Sequence, residues 1–145
     1  MNTQVDTRVR FAGIDLRNPV LTASGTFGYG TEFQDFMDLS QIGGFVAKSL
    51  TRLPRWGNPP PRIAETPSGM LNAISIENIG VEAFVSERLP SLPEDVVVIA
   101  SCFGTEPEDY AELAAELDEM MSDGVAAVGA RAADEHAEPE AGDRP

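Results

Sequence analysis

One segment decides the fold: Gly43-Gly44-Phe45-Val46-Ala47-Lys48-Ser49. An apolar run that is entered through two glycines and left through a serine predicts a buried strand of a parallel sheet. Lys48 is the only lysine in the chain, and the other nine basic residues are arginines. Because α/β proteins bind ligands at the carboxyl ends of their strands, Lys48 is a candidate ligand-binding residue. The alternative is a lysine that merely carries its charge from a strand end into solvent.

Strand and helix patterns alternate along the rest of the chain, which predicts an α/β fold. The predicted strands cover residues 19–22, 42–47 and 95–100, with the start of a fourth at 125–128, and the predicted helices cover 32–39, 80–89 and 106–121. A loose alternation over 9–16 predicts a small hairpin that plugs the floor of a barrel. The long connection 50–71 contains Pro and Gly, and connections of this length are usually functional.

Side-chain patterns predict how these helices begin and pack. Thr31 is the predicted N-cap of the first helix and Thr105 that of the third. The predicted core-facing residues are Phe33, Phe36 and Met37 in the first helix, Val81, Phe84, Val85 and Leu89 in the second, and Tyr110, Leu113, Ala114, Leu117 and Met121 in the third.

Charge and composition narrow the class of protein. The chain has 145 residues and a formal net charge of −14. This acidity argues against binding to nucleic acid or to an anionic membrane surface. No stretch approaches the roughly 18 apolar residues of a membrane span, and the amino terminus does not resemble a signal peptide. A single cysteine, Cys102, fits a reducing compartment, so a cytoplasmic location is expected.

The last residues differ from the rest in composition. Residues 129–145 are rich in Ala, Glu, Asp and Pro and contain no large apolar side chain. Such a segment buries too little surface to offset its ordering entropy. We therefore predict one α/β unit over residues 1–128 and a disordered, acidic, low-complexity tail over 129–145.

Four blocks of sequence, in this order and spacing, resemble the amino-terminal part of dihydroorotate dehydrogenases of class 1B. The blocks are NPVLTASGTFGYG (18–30), KSLT (48–51), PRWGNPPPR (54–62) and ETPSGMLNAI (65–74). The resemblance extends from about residue 9 to about 128. It implies part of a (β/α)8 barrel, namely an amino-terminal half with about four parallel strands. Since the fourth strand of the family continues differently, the resemblance also implies a truncated or frameshifted end after residue 128.

The resemblance further implies a cofactor, a substrate and a set of contacts. Its class binds FMN and passes electrons to an iron–sulfur, FAD-containing subunit. By resemblance, the FMN contacts are Ala23, Ser24, Gly25, Lys48, Ser49 and Ser101. By resemblance, the contacts with dihydroorotate or orotate are Lys48, Asn72, Ala73, Ile74, Ser75 and Ile76. Taken without the resemblance, the glycines near Ser24 suit a plain turn equally well, and Asn72 suits loop capping.

Three departures from the family pattern concern catalysis. Ser75 stands where the family usually has glycine, and Ser101 stands where it has a flavin-binding asparagine. No residue corresponds to the catalytic cysteine, because Cys102 is predicted to be a buried apolar residue at the end of the third strand. His136 stands alone in the tail, and one cysteine with one histidine does not make a metal site. We therefore assign no catalytic residue and no metal ligand.

Two functions remain open at this point. The first is FMN-dependent oxidation of dihydroorotate to orotate in pyrimidine biosynthesis. The second is a catalytically inactive fragment or a binding-only half-barrel. Because an open half-barrel exposes unpaired strand edges, we also expect homo-oligomerisation or aggregation.

Overall fold

The computed structural model describes residues 5–120 and, through the backbone alone, residues 127–130. The strands are β1 (Val9–Phe11), β2 (Ile14–Leu16), β3 (Leu21–Thr22), β4 (Gly44–Val46), β5 (Ile63–Thr66), β6 (Gly69–Asn72), β7 (Val98–Cys102) and β8 (Ala127–Ala130). The helices are α1 (Val81–Ala83), which continues as a π-helical turn over Phe84–Arg88, and α2 (Pro107–Met120). Short 3₁₀ turns cover Thr31–Phe33, Leu39–Gln41 and Leu89–Ser91.

Four of the strands form one parallel sheet in the order β3-β4-β7-β8. Val46 of β4 lies beside Ile99 of β7, and Ile99 lies beside Ala127 of β8. The predicted α/β fold with about four parallel strands is therefore confirmed for the described residues. Residues 125 and 126 of the predicted fourth strand lie outside them. In the other direction β8 continues to Ala130, two residues into the predicted tail, because Gly129 and Ala130 pair with the end of β7. Residues 131–145 of the tail also lie outside the description.

The core lies on one face of this sheet. Its members are the buried side chains of β4 and β7 together with residues from the flanking turns and helices: Phe27, Tyr29, Leu39, Phe45, Ala47, Leu50, Val81, Phe84, Leu92, Val96, Val98, Ala100, Cys102, Leu113 and Leu117. Val46 and Ile99 alternate with these residues along the strands and are only half-buried. The described residues therefore bury one face of the sheet more completely than the other.

An antiparallel hairpin precedes the sheet, as predicted. Strands β1 and β2 pair with Val9 beside Leu16, and Leu16 is buried. The next residue, Arg17, donates to the backbone carbonyl of Asp95 and to its carboxylate, at 2.9 and 2.6 Å. Because residue 95 lies just before β7, this contact ties the hairpin to the amino-terminal end of the sheet. Whether the hairpin plugs a barrel remains a prediction.

The predicted helix over residues 32–39 is wrong. Only a single 3₁₀ turn forms over Thr31–Phe33, and Gly30 precedes it without any side-chain cap, so Thr31 is not the N-cap. Glu32 turns back and accepts a hydrogen bond from the backbone N–H of Tyr29 at 3.0 Å. Phe33 stacks on Phe27, but Phe36 is 84% exposed. Met37, like Phe33, is half-buried against the core. Two half-buried side chains do not stabilise a helix this short while Phe36 faces water.

The connection over residues 50–71 is more regular than predicted. Strands β5 and β6 pair within it as an antiparallel hairpin, with Ile63 opposite Asn72 and Thr66 opposite Gly69. Pro67 and Ser68 form its two-residue turn. All eight strand residues of the hairpin are exposed.

The second and third predicted helices are confirmed, with one change at a cap. Val81 and Phe84 are fully buried beneath the sheet, and Leu113 and Leu117 are buried on α2. Of the remaining predicted core-facing residues, Val85, Leu89, Tyr110 and Ala114 are half-buried, and Met121 lies outside the described residues. The change concerns Thr105, which does not cap α2.

The carboxylate of Asp109 caps α2 instead. It accepts from the backbone N–H groups of Thr105 and Glu106 at 2.8 and 3.0 Å, and the Thr105 hydroxyl also donates to it. These hydrogen bonds, led by the one from Glu106, lower the pKa of Asp109 below its ordinary value. A charged carboxylate satisfies free N–H groups at the positive end of a helix better than a hydroxyl does.

Candidate functional site

The carboxyl ends of three adjacent strands bring together the residues predicted to bind the cofactor. The hydroxyl of Ser24, just after β3, donates to the carbonyl of Ala47, just after β4, at 2.9 Å. The backbone N–H of Lys48 donates to the carbonyl of Gly28 at 2.8 Å. Ser24 and Lys48 therefore lie on adjacent strand ends of one sheet, as the sequence predicted.

A pair of serine hydroxyls extends this edge to β7. Ser49 Oγ and Ser101 Oγ lie 3.0 Å apart. Ser101 is 6% exposed, and its carbonyl accepts from the N–H of Leu50 at 2.7 Å. The serine that replaces the family asparagine is thus hydrogen-bonded to a neighbouring predicted cofactor residue. The contacts of both residues with a flavin remain predictions.

The turn over residues 23–26 is open to solvent. Ala23, Ser24 and Gly25 are exposed, and Thr26 bonds back to the carbonyl of Ala23 through both its N–H and its hydroxyl. Gly25 has a φ of +80°, and an added Cβ would meet no atom within 4 Å. The turn geometry alone accounts for this glycine, and the open space beside it is also compatible with close approach of a ligand.

Lys48 lines a cleft of about 370 Å³ whose other residues come from three separate segments. Those residues are Tyr29, Pro54, Arg55, Trp56, Glu77, Asn78 and Ile79. Sequence reasoning did not assign any of them to the site. Tyr29 and residues 54–56 belong to blocks that carried the resemblance, and this was the only available signal. Glu77, Asn78 and Ile79 had no such signal and reach the cleft only through folding.

Tyr29 contributes a protonated phenol to this cleft. Its hydroxyl oxygen accepts a hydrogen bond from the backbone N–H of Ile79 at 3.2 Å. Burial is the largest cause of the raised pKa of Tyr29, so the group keeps its proton at neutral pH. Since the bond to Ile79 uses only the oxygen, the phenolic proton is available for donation.

Asn78 joins two walls of the cleft. Its side-chain oxygen accepts from the N–H groups of Thr51 and Gly80 at 3.1 and 2.9 Å, and its amide donates to the carbonyl of Ile76 at 3.1 Å. Its backbone pairs in both directions with Arg55 at 2.9 Å. Asn78 is 4% exposed. A buried amide with this many partners holds the loop after Lys48 against the segment that contains Ile76.

The predicted substrate residues 72–76 lie on the neighbouring segment and do not line the Lys48 cleft. Asn72 ends β6 and is exposed, as are Ala73 and Ser75, whereas Ile74 and Ile76 are half-buried. The structure therefore brings Ser24, Lys48, Ser49 and Ser101 together at one sheet edge. Of these four residues only Lys48 lines the cleft, and Asn72 does not line it either. The substrate role of residues 72–76 remains a prediction.

Ser75 occupies a backbone conformation that favours glycine. Its φ is +66°, in the left-handed region. The family pattern has glycine at this position, and the geometry gives a backbone reason for that residue. A serine here costs conformational energy, because its Cβ is crowded in this region.

Arg62 ties the tryptophan loop to the segment after β6. It donates to the carbonyls of Asn58 and Trp56 at 2.5 and 2.9 Å, and its guanidinium forms an ion pair with Glu77. Asn58 in turn bonds the carbonyls of Ala73 and Ile74 at 2.9 and 3.2 Å. Residues 56–58 are therefore held against residues 73–77 at several points.

Cys102 is fully buried, and burial raises the pKa of its thiol to about 11. The prediction of a small buried apolar residue is confirmed. A thiol with this pKa carries almost no thiolate at neutral pH, so it does not act as a base or nucleophile. His136 lies outside the described residues. Within residues 5–120, His, Cys, Asp and Glu side chains do not converge in groups that could hold a metal ion.

The residues at the strand ends fit the demands of an FMN site. The available donors are the Lys48 ammonium, the Ser49–Ser101 hydroxyl pair and the N–H groups of an exposed small-residue turn, all at one sheet edge. The Ser24 hydroxyl already donates to Ala47 and can only accept. A flavin and its phosphate are held in proteins by such donors and by close backbone approach. FMN therefore fits the polar side chains of Ser24, Lys48 and Ser49.

None of the helices within residues 5–120 combines the length and apolar character needed to cross a bilayer.

The chain is similar in sequence to known proteins. Residues 7–127 match the family model described as dihydroorotate dehydrogenase. Three curated relatives carry the name dihydroorotate dehydrogenase B (NAD(+)), catalytic subunit. The one from Pelobacter propionicus is 58% identical over 116 residues, which is 79% of this chain and 38% of the relative. The relative from Geotalea daltonii is 53% identical over 79% of this chain and 38% of the relative. The relative from Maridesulfovibrio salexigens is 53% identical over 86% of this chain and 40% of the relative.

The chain thus spans about two fifths of the length of these relatives. Since the family model covers most of the sequence, the chain belongs to the dihydroorotate dehydrogenase family.

Proposed function

We propose that this chain supplies the FMN-binding edge and one wall of the substrate site for oxidation of dihydroorotate to orotate in pyrimidine biosynthesis. The observation that carries the proposal is the convergence of Ser24, Lys48 and the Ser49–Ser101 pair on three adjacent strand ends. Ligand sites of parallel α/β folds are built at this edge. The family relationship supports the same choice of cofactor and substrate.

The parallel sheet is, in this proposal, part of a (β/α)8 barrel. The more buried face carries Phe45 and Val98 beneath the helices, and the half-buried Val46 and Ile99 face the barrel interior. An interior filled by branched apolar side chains is typical of such barrels.

Each residue of the edge has a role that its chemistry allows. The chemistry supplied by bound FMN is acceptance of the electron pair that leaves dihydroorotate. The Lys48 ammonium offers positive charge to the anionic ligands, and Ser24 and Ser49 offer hydroxyl groups to the cofactor. The residues 72–76 contribute backbone and amide groups to one edge of the substrate ring. Tyr29 holds a proton beside Lys48 and can donate it in a hydrogen bond to a ligand oxygen.

Partners and location follow from the same family relationship. The relatives are named as catalytic subunits, which supports a complex with a further subunit. We propose an iron–sulfur, FAD-containing electron-transfer subunit and a cytoplasmic location. Self-association remains an additional prediction, because β3 lies at one edge of the parallel sheet.

A second candidate is a binding-only protein. The buried Cys102 favours it, because this thiol does not supply the base that removes a substrate proton. The two candidates share the binding site and differ in turnover.

Flavin binding tests the shared part of the proposal. FMN fluorescence is titrated with purified chain, and we expect saturable one-to-one binding. Lys48→Ala should weaken it about 10-fold or more, the usual effect of losing a hydrogen bond to a charged group. Arg10→Ala is the matched control, because Arg10 is an exposed cation on β1 whose ion pair within residues 5–120 is with Asp15 at 3.8 Å. Lack of saturable binding, or equal binding by Lys48→Ala, would refute the proposed function.

A further inference from the structure

The backbone of Trp56 is fixed from several directions. Its carbonyl accepts from Arg62 at 2.9 Å, and the preceding residue, Arg55, pairs with Asn78 through both backbone groups. The following residue, Gly57, has a φ of +69°, and an added Cβ would lie 2.4 Å from the carbonyl oxygen of Ile74. The chain therefore approaches residues 74–78 so closely at this point that only glycine fits.

Trp56 as a whole residue, in contrast, is 83% exposed. It belongs to the wall of the cleft that also contains Lys48. A large aromatic side chain on a fixed backbone loses little conformational entropy when it meets a ligand, and it offers a broad flat surface. Phe36 is equally exposed but does not line this cleft, so exposure alone does not distinguish Trp56.

The charges of the cleft select the kind of ligand. Glu77 is paired with Arg62, and Arg55 lies over the ring of Phe103 at 5.7 Å. None of the ion pairs among residues 5–120 involves Lys48. The cleft thus combines a cation that is not neutralised by a described carboxylate with a flat aromatic wall, which together suit a planar ring that carries a carboxylate.

We propose that the indole of Trp56 packs on the face of such a ring when its carboxylate lies at Lys48. This inference rests on the proposed function and deepens it, because it makes Trp56 a specificity-determining residue. Orotate is flat and conjugated, whereas dihydroorotate has two saturated ring carbons and a puckered face. Stacking on the indole therefore favours orotate over dihydroorotate, and Trp56 sets the ratio of the two affinities.

The chain contains a single tryptophan, which makes the test direct. Protein labelled with 5-fluorotryptophan gives one ¹⁹F resonance, and this resonance is followed while orotate, dihydroorotate or uracil is added to the FMN-loaded chain. We expect a saturable shift with orotate, a weaker one with dihydroorotate, and little with uracil, which lacks the carboxylate. Calorimetric titration of the unlabelled variants gives the affinities.

The variants separate stacking from general structural damage. Trp56→Ala should weaken orotate binding roughly 3- to 12-fold, the range of aromatic pair energies, with a smaller loss for dihydroorotate. Trp56→Phe should retain most of the preference, and Phe36→Ala, the matched exposed aromatic, should change neither affinity. FMN binding should be unaltered in all three.

Each of the remaining outcomes overturns this inference, and one of them also refutes the proposed function. Orotate binding that depends on Lys48 but is unchanged in Trp56→Ala overturns this inference and leaves the proposed function standing. Equal losses for orotate and dihydroorotate also overturn it, since ring planarity would then not matter. Lack of orotate binding by the unmodified chain refutes the proposed function and this inference together. A ¹⁹F shift seen only on addition of a purified electron-transfer subunit would assign the indole to a protein interface instead.

Discussion

Ser49 Oγ and Ser101 Oγ lie 3.0 Å apart across β4 and β7, although 52 residues separate them in the sequence. One hydroxyl donates a hydrogen bond to the other at a partly buried strand edge. The pair shows how this chain accommodates a serine where the family has asparagine. It also makes a measurable contribution to stability that can be tested without any ligand.

Ser101→Ala should lower the free energy of unfolding by about 1–2 kcal/mol, because Ser49 then loses its partner in a partly buried place. Urea denaturation followed by far-UV circular dichroism measures the change. Ser86→Ala is the control, since the Ser86 hydroxyl bonds an exposed helix carbonyl at 2.8 Å, and it should shift stability by less than about 0.5 kcal/mol. Equal effects of the two substitutions would contradict a specific role for the serine pair.

Asn78→Ala should be the more damaging change, with a loss of about 2–4 kcal/mol. The substitution leaves the N–H groups of Thr51 and Gly80 and the carbonyl of Ile76 without their buried partner. Asn72→Ala is the matched control on an exposed strand end, and its effect on unfolding should be near zero. A mild effect of Asn78→Ala would show that water replaces the amide and that the two walls of the cleft are held by other contacts.

Ser75→Gly should stabilise the protein, by up to about 1 kcal/mol. The left-handed φ of +66° is unfavourable for serine and favourable for glycine. Ser86→Gly, in the helical turn after α1, should instead destabilise by about 1 kcal/mol, because glycine is a poor helix residue. The two substitutions should thus change the free energy of unfolding in opposite directions in the same denaturation experiment. Destabilisation by both would contradict the backbone argument.

The Asp109 cap should make α2 sensitive to acid. Its folded pKa is below the ordinary value of 3.8, so its stabilising contribution is complete above that pH and is lost as the pH falls through the folded pKa. Asp109→Asn should therefore unfold at a lower temperature than the unmodified chain at pH 7. The difference between the two unfolding temperatures should become smaller toward pH 2. Thermal unfolding at several pH values measures it. A difference that does not change with pH would exclude the charge of Asp109 as the cause.

The chain by itself should not turn over dihydroorotate at a useful rate. A placed general base commonly contributes about 10²- to 10⁴-fold, and Cys102, with a pKa of about 11 and full burial, does not provide one. The measurement is orotate formation with added FMN and an artificial electron acceptor. Turnover near the usual lower limit of about one per second that disappears in Lys48→Ala would contradict this expectation.

The strands and Lys48 could be predicted from the sequence because their signals are local. A continuous apolar run such as residues 43–47 favours a buried strand, and the polar residue that ends it then lies at the sheet edge. The burial of Cys102 followed from the same kind of run. The family blocks identified Ser24 and Ser49, which the structure places on neighbouring strand ends.

Helix caps and short helices could not be predicted so well, because alternatives of similar energy compete there. Thr105 and Asp109 both suit a helix start, and only the final geometry shows that the carboxylate reaches the free N–H groups. Residues 31–39 have helical periodicity, yet Glu32 bonds to Tyr29 and Phe36 remains in water. The hairpin of β5 and β6 was missed because its strands are exposed and lack a buried alternating face.

The sequence alone thus determined which segments enter the parallel sheet and which side chains stand at its carboxyl edge, because apolar runs and strand ends depend on near neighbours. Tertiary structure decided what surrounds Lys48. Tyr29 meets Ile79 across 50 residues, and Asn78 meets Thr51 across 27. The walls of the cleft are joined by hydrogen bonds between segments that have no pattern in common. The geometry of the folded chain decides which residues form these hydrogen bonds, so local sequence periodicity does not predict them.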